Sequence, residues 1–281
     1  MESKGILTIA SGDYNYGAYA CNLAASIKCN DPDVKLAVIT DGAASDAIHE
    51  RAKLFDQILA APKEEPLKLK LMIDKMTPFE HTVFLDADTI VIPGKKLKRL
   101  FHDSDLQIGT RDRFKLSDRF DSEGKCRMQW LPHLDITSLE CMSEDPWFYN
   151  LSSEVMSLRK STLVDAIFEE ALYWYDNPPK GFTRFGQNIP DEMPLQLSIV
   201  RNDIQMECPW LPSCWRSRKH TNAIQLMQSD YILYSMGGAQ LDASQKKIFT
   251  DWSGEYMKHM GFSWAWKPES KSSFDPFRKK R

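Results

Sequence analysis

Short β-rich runs alternate with amphipathic stretches through the first third of the chain, at 6–10, 34–39, 55–59 and 82–85. That order predicts a parallel sheet wound with helices. Between the first two runs Ala18, Leu23, Ala24 and Ile27 recur at helical spacing, and Asn30-Asp31-Pro32-Asp33 supplies a turn that cannot continue the helix. A second helical face, Leu69, Met72, Ile73 and Met76, lies in 68–76, and Pro78 closes it before the strand at 82–85. The second half is less regular. It carries a strand pattern around 155–158, a helical one over 163–175 ended by Asn177-Pro178-Pro179, and another helix from Glu192 to about Ile199.

The expected fold class is therefore α/β, with a Rossmann-like, mostly parallel sheet flanked by helices. No internal repeat or low-complexity linker divides the chain, so one two-lobed domain is expected, its lobes meeting near residue 110. In open α/β sheets ligands bind outside the carboxyl ends of the strands. The segment after Ala10 and the segment at Asp86 both leave such ends, so both point into one crevice.

Composition narrows the partners. The chain has 281 residues, 42% hydrophobic and 27% charged, enough to bury a sizeable core. A formal net charge of -3 gives no global positive field for nucleic acid or anionic membrane. The six cysteines form no CxxC pair, which fits reduced thiols and a cytoplasmic protein. No signal-peptide pattern opens the sequence and no apolar run approaches about 18 residues, so no integral membrane contact is expected. Residues 271–281 read as a flexible basic tail.

Candidate chemistry sits in Asp86-Ala87-Asp88, at the end of an apolar strand. If the backbone stays extended, both side chains share one face, about 6.5 Å apart. At an effective dielectric of ~20 their repulsion is on the order of 2.5 kcal/mol, which a divalent cation removes. Oxygen ligands suit Mn2+ or Mg2+. A strand-end turn or a helix cap would use the same residues, so context has to decide.

The stretch Thr82-Val83-Phe84-Leu85-Asp86-Ala87-Asp88-Thr89-Ile90-Val91 resembles the metal-binding segment of glycosyltransferase family 8, which includes glycogenin and bacterial galactosyl- and glucosyltransferases. The resemblance implies a single GT-A-type domain. Residues 1–110 would form its nucleotide-sugar-binding half and 111–270 its acceptor-binding half. It also implies a metal-dependent transfer from a UDP-sugar or similar donor to the hydroxyl of a glycan or other acceptor, with retention. Tyr16 then corresponds to a base-stacking tyrosine, with Ser11, Asp13, Ala87 and Gly237 as further donor contacts. Lys70, sixteen residues before Asp86, corresponds to a lysine that reaches the donor phosphates or sugar. Asp191, in Gln187-Asn188-Ile189-Pro190-Asp191-Glu192, corresponds to an aspartate on the transferred sugar, with Asn188 a second polar position. Plainer roles stay open: Lys70 on a solvated helix face, Tyr16 closing the core edge, Asp191 capping a helix.

The sequence also departs from the family. Where the family supplies a third metal ligand from a histidine, Ile232-Leu233-Tyr234-Ser235-Met236-Gly237-Gly238 places Tyr234, leaving His220 or Asp230 as substitutes. The lysine after that segment is missing or displaced to Lys246 or Lys247. On the acceptor side, Trp147-Phe148-Tyr149 and the aromatic and basic run from Trp210 through Trp215 to His220 could stack on sugars or bases. Transfer to hydroxylated bases of DNA, as phage-type enzymes perform, and an inactive sugar-nucleotide-binding protein are therefore the rival expectations.

Overall fold

The computed structural model describes residues 3–127, 145–181, 189–215, 222–236 and 243–263. Its main sheet has six strands in the order β3-β2-β1-β4-β7-β6. These are β1 (Lys4–Ala10), β2 (Lys35–Thr40), β3 (Gln57–Ala60), β4 (His81–Leu85), β6 (Leu106–Lys115) and β7 (Trp147–Arg159). The first four run parallel, and β7 is antiparallel to both β4 and β6. β1, β2 and β4 are buried nearly throughout, as strands covered on both faces must be. A smaller sheet joins β5 (Thr89–Val91), β9 (Leu233–Ser235) and β8 (Ser213–Trp215) in the order β5-β9-β8.

One face of the main sheet packs on α1 (Tyr14–Asn30), α2 (Gly42–His49) and the far end of α8 (Ala243–His259), around Leu23, Ile27, Ile48, Val83 and Met257. The other packs on α5 (Thr162–Asp176) and α6 (Glu192–Arg201), around Phe84, Met156, Phe168 and Leu195. Gly17 lets α1 and α2 touch, because a Cβ there would lie 2.2 Å from the Ala44 carbonyl oxygen.

The helix expected over 68–76 is broken into α3 (Pro66–Lys70) and α4 (Ile73–Met76). Leu69, Leu71 and Ile73 are all fully buried, and a continuous helix cannot turn residues two apart to the same side. Strand β7 is much longer than the pattern at 155–158 suggested. Beyond Leu85 it continues with β6 as a two-stranded ribbon, whose Phe114 and Phe148 pack on Met193 and Leu197 of α6. Residue 110 falls inside β6, so the strand pairing runs through the point where the lobes were expected to meet. Among the described residues no helix is long and apolar enough to cross a membrane.

Candidate active site

The segments that leave β1 and β4 come together, with Tyr16 near Asp86 and Asp88. After β1 the chain turns at Gly12 (φ 89°), a left-handed conformation that suits glycine, and its N–H donates to Asp41 Oδ1 at 2.8 Å. Asp13 then caps α1, accepting from Asn15 N at 2.8 Å and Tyr16 N at 3.4 Å. That cap sets Tyr16 in the first turn of α1, half-buried and edge-on to Tyr19. Burial and the neighbouring Asp88, Asp13 and Asp86 carboxylates push the Tyr16 hydroxyl pKa up, so it stays protonated. Ser11, next to Gly12 in the chain, is buried.

The Asp86-Ala87-Asp88 segment is where the chain leaves the main sheet for the small one. The extended backbone expected there is replaced by a turn: Thr89 donates to the Asp86 carbonyl through both its N–H (3.2 Å) and its hydroxyl (2.8 Å). One side of the turn is fixed by Asp86 N donating to Glu154 O (3.0 Å), the other by Met236 N donating to Asp88 O (2.9 Å). Ala87 is buried between them. The two carboxylates still feel each other, and Asp86 is raised by burial, held down by Lys70, and raised further by Asp88.

Lys70 does not lie on a solvated face. Its ammonium donates to Asp86 at 2.7 Å and lies 3.5 Å from Asp191 Oδ2, with 15% of the side chain exposed. Burial works against that charge, yet Asp191 and Asp86 more than offset it and raise the Lys70 pKa. The neighbouring lysines do pair at the surface, Lys68 with Asp176 and Lys75 with Glu169. Asp191 precedes α6 with helical dihedrals and its side chain makes no capping bond, so the cap role does not hold. The carboxylate is buried instead, and Oδ2 has no hydrogen-bond partner.

Two acids that the sequence reading passed over complete the cluster. Glu154 lies in β7, directly before the stretch read as a strand (155–158). It is 6% exposed, and burial with Asp86 and Asp88 nearby raises its pKa to about 8, against the Ser213 and Ser235 hydroxyls. Glu192, first residue of α6, is raised by burial and by Asp191. A carboxylate directly flanking the apolar pattern at 155–158 was the available signal.

Tyr234 occupies the position where a histidine was sought, but it is a core residue. Its hydroxyl donates to Gln245 O (3.3 Å) and its ring meets Trp252 edge-on, turned away from the turn. Asp230 lines a groove with Arg99, His102 and Trp210 that no member of the Asp86 cluster lines. Lys247 pairs with Asp251 on α8. Among the described residues no three His, Cys, Asp or Glu side chains converge on one point as a metal site. The donor chemistry nevertheless suits a hard divalent ion: Asp88 and Glu154 lie near Asp86, Asp191 and Glu192 share the Lys70 ammonium with it, and all five are oxygen donors.

On the acceptor side the aromatics divide. Trp210 is 9% exposed and bridges to Thr110, so it packs rather than presents a ring. Phe148 and Tyr149 are buried, while Trp147 is 42% exposed on the ribbon with Arg113 and Lys115 over its ring at 4.8 and 4.7 Å. Asn188, Gln187, Gly237, the 216–220 basic cluster and the 271–281 tail lie outside the described residues.

Comparison with solved structures places this arrangement in a known fold. The galactosyltransferase LgtC, in complex with donor and acceptor sugar analogues, matches over 89% of this chain and 95% of its own, with a TM-score of 0.56 at 12% identity. The bifunctional glycosyltransferase WbbM matches with a TM-score of 0.57 at 10% identity over 94% of this chain, which spans 52% of that protein. The apo glycosyltransferase GlyE of Streptococcus pneumoniae TIGR4 matches with a TM-score of 0.51 at 9% identity, over 92% of this chain and 64% of its own. No protein-family model matches the sequence, and no curated protein does. The chain has the GT-A glycosyltransferase fold.

Proposed function

We propose that this chain is a metal-dependent glycosyltransferase that moves a sugar from a nucleoside-diphosphate donor, most simply a UDP-sugar, to the hydroxyl of a saccharide or similar acceptor. The observation that carries the reading is the Asp86–Lys70–Asp191 cluster at the carboxyl edge of the sheet, held on three separate segments. A purely structural ion pair has no need of a second buried carboxylate on the same ammonium.

In this reading Asp86 and Asp88 hold Mn2+ or Mg2+, which when bound acts as a Lewis acid on the leaving diphosphate. Lys70 adds a fixed positive charge where the diphosphate develops negative charge, so it favours departure of the leaving group. Tyr16 supplies a ring at the crevice edge for the base, and the Gly12 turn with the Asp13 cap brings the backbone after β1 up to the nucleotide. Asp191, close to Lys70 and without a hydrogen bond on Oδ2, would accept from a hydroxyl of the transferred sugar.

Residues 1–110 would bind the donor, and 111–270, with Trp147 exposed on its ribbon, the acceptor. Retention of configuration and a cytoplasmic setting belong to the same reading. It is tested by incubating the protein with Mn2+ and a panel of nucleotide sugars and measuring released nucleoside diphosphate. Release from one donor class, abolished by EDTA, is expected; no release from any donor, with or without simple sugar acceptors, rejects the reading.

A further inference from the structure

We propose that Glu154 is an additional oxygen ligand of the divalent ion at the Asp86–Asp88 turn, taking the place of the side chain that Tyr234 does not offer; the inference rests on the metal-dependent reading above. Position is the first argument. Glu154 O accepts from Asp86 N at 3.0 Å, so the residue lies across from Asp86, one step past the Leu85 and Val155 pair. It also sits in the middle of a bulge: Ile108 pairs with Met156 but Gly109 pairs with Ser152, leaving 153–155 without partners on β6. Bulges re-aim side chains, often next to active sites. A Cβ on Gly109 would lie 2.7 Å from Ser152 O, so the close strand approach at this bulge depends on glycine.

The surroundings of the carboxylate are the second argument. Glu154 is 6% exposed, and its Oε1 has no hydrogen-bond partner. Once ionised, a carboxylate this buried needs a cation beside it. Lys70 is committed to Asp86 and Asp191. The small sheet gives the third. Tyr234 turns into the core, so Ser235, next along β9, faces the other way, toward the turn. The Ser235 and Ser213 hydroxyls lie beside the Glu154 carboxylate, so Glu154 fills the site-facing side of β9. As the side chains stand, the acids do not meet at one point. Glu154 joins the ion by rotation of its side chain.

The test uses Mn2+ and UDP as probes, with wild type, E154Q, E154A and D88N compared by calorimetry and thermal melting. Both Glu154 variants are expected to bind Mn2+ in the presence of UDP at least about tenfold more weakly than wild type, and D88N not at all. Without metal, E154Q is expected to melt no lower than wild type, since it removes a buried acid from an acidic cluster, while its Mn2+-induced rise in Tm shrinks. Wild-type Mn2+ affinity in both Glu154 variants, with D88N still defective, overturns the role of Glu154 alone. A lowered E154Q Tm without metal marks a structural residue and also overturns it. A wild-type protein that takes up no Mn2+ with UDP overturns the metal reading, and this inference with it.

Discussion

Lys70, the last residue of α3, lies 3.5 Å from Asp191, the residue before α6, so one ammonium joins the ends of two helices. The same ammonium holds Asp86, so one lysine links the strand-end turn to the α6 side of the site.

Replacing Lys70 by Met removes that link. Turnover of the nucleotide sugar is expected to fall at least about a hundredfold, as when a charge-stabilising donor is lost from a transition state. Stability is expected to fall by about 2 kcal/mol, less than for a fully buried pair because Asp86 keeps a quarter of its side chain in solvent. Steady-state kinetics and urea unfolding check both; normal turnover in a folded variant would return Lys70 to a structural role.

In the proposed reading Tyr16 stacks on the donor base. Y16A is expected to weaken UDP binding by about tenfold, the scale of losing one base-aromatic stack, while Y16F keeps wild-type affinity. Calorimetry with UDP decides it, and equal affinity for Y16A would assign the ring to packing against Tyr19.

Asp74 gives a pH signature away from the site. It is 4% exposed, and burial raises its pKa from 3.8 to about 6, against the Lys75 amide and ammonium. Below pH 3.8 the group is neutral folded or unfolded and costs nothing. Between 3.8 and 6 only the unfolded chain ionises, so stability drains away as pH rises, and above 6 the loss is complete at roughly 3 kcal/mol. D74N should therefore stabilise the protein at pH 7 and the gain should vanish near pH 4. Urea unfolding at the two pH values checks it; a gain independent of pH would contradict the assignment.

Much of this was legible in the chain. The apolar runs gave the parallel strands β1 to β4, while the Lys70 spacing, read as that of a lysine reaching the donor, did not show that Lys70 pairs with Asp86. What stayed hidden depends on pairing between distant segments. The break between α3 and α4 follows from burying Leu71 as well as Leu69 and Ile73, which periodicity alone assigns to different faces. Tyr234 aligned with a ligand position, yet the strand alternation of β9 turns it into the core and presents Ser235. Glu154 comes beside Asp86 only because β7 pairs antiparallel with β4, and a bulge is not written in any local pattern.

The most direct measurement is an anomalous difference map at the manganese edge from crystals soaked with Mn2+ and the UDP-sugar that the protein turns over. The account predicts a peak bridging Asp86 or Asp88 to the diphosphate, with the Lys70 ammonium turned toward a phosphate or the sugar. A nucleotide bound with no metal peak, or a peak that touches neither aspartate, would contradict it.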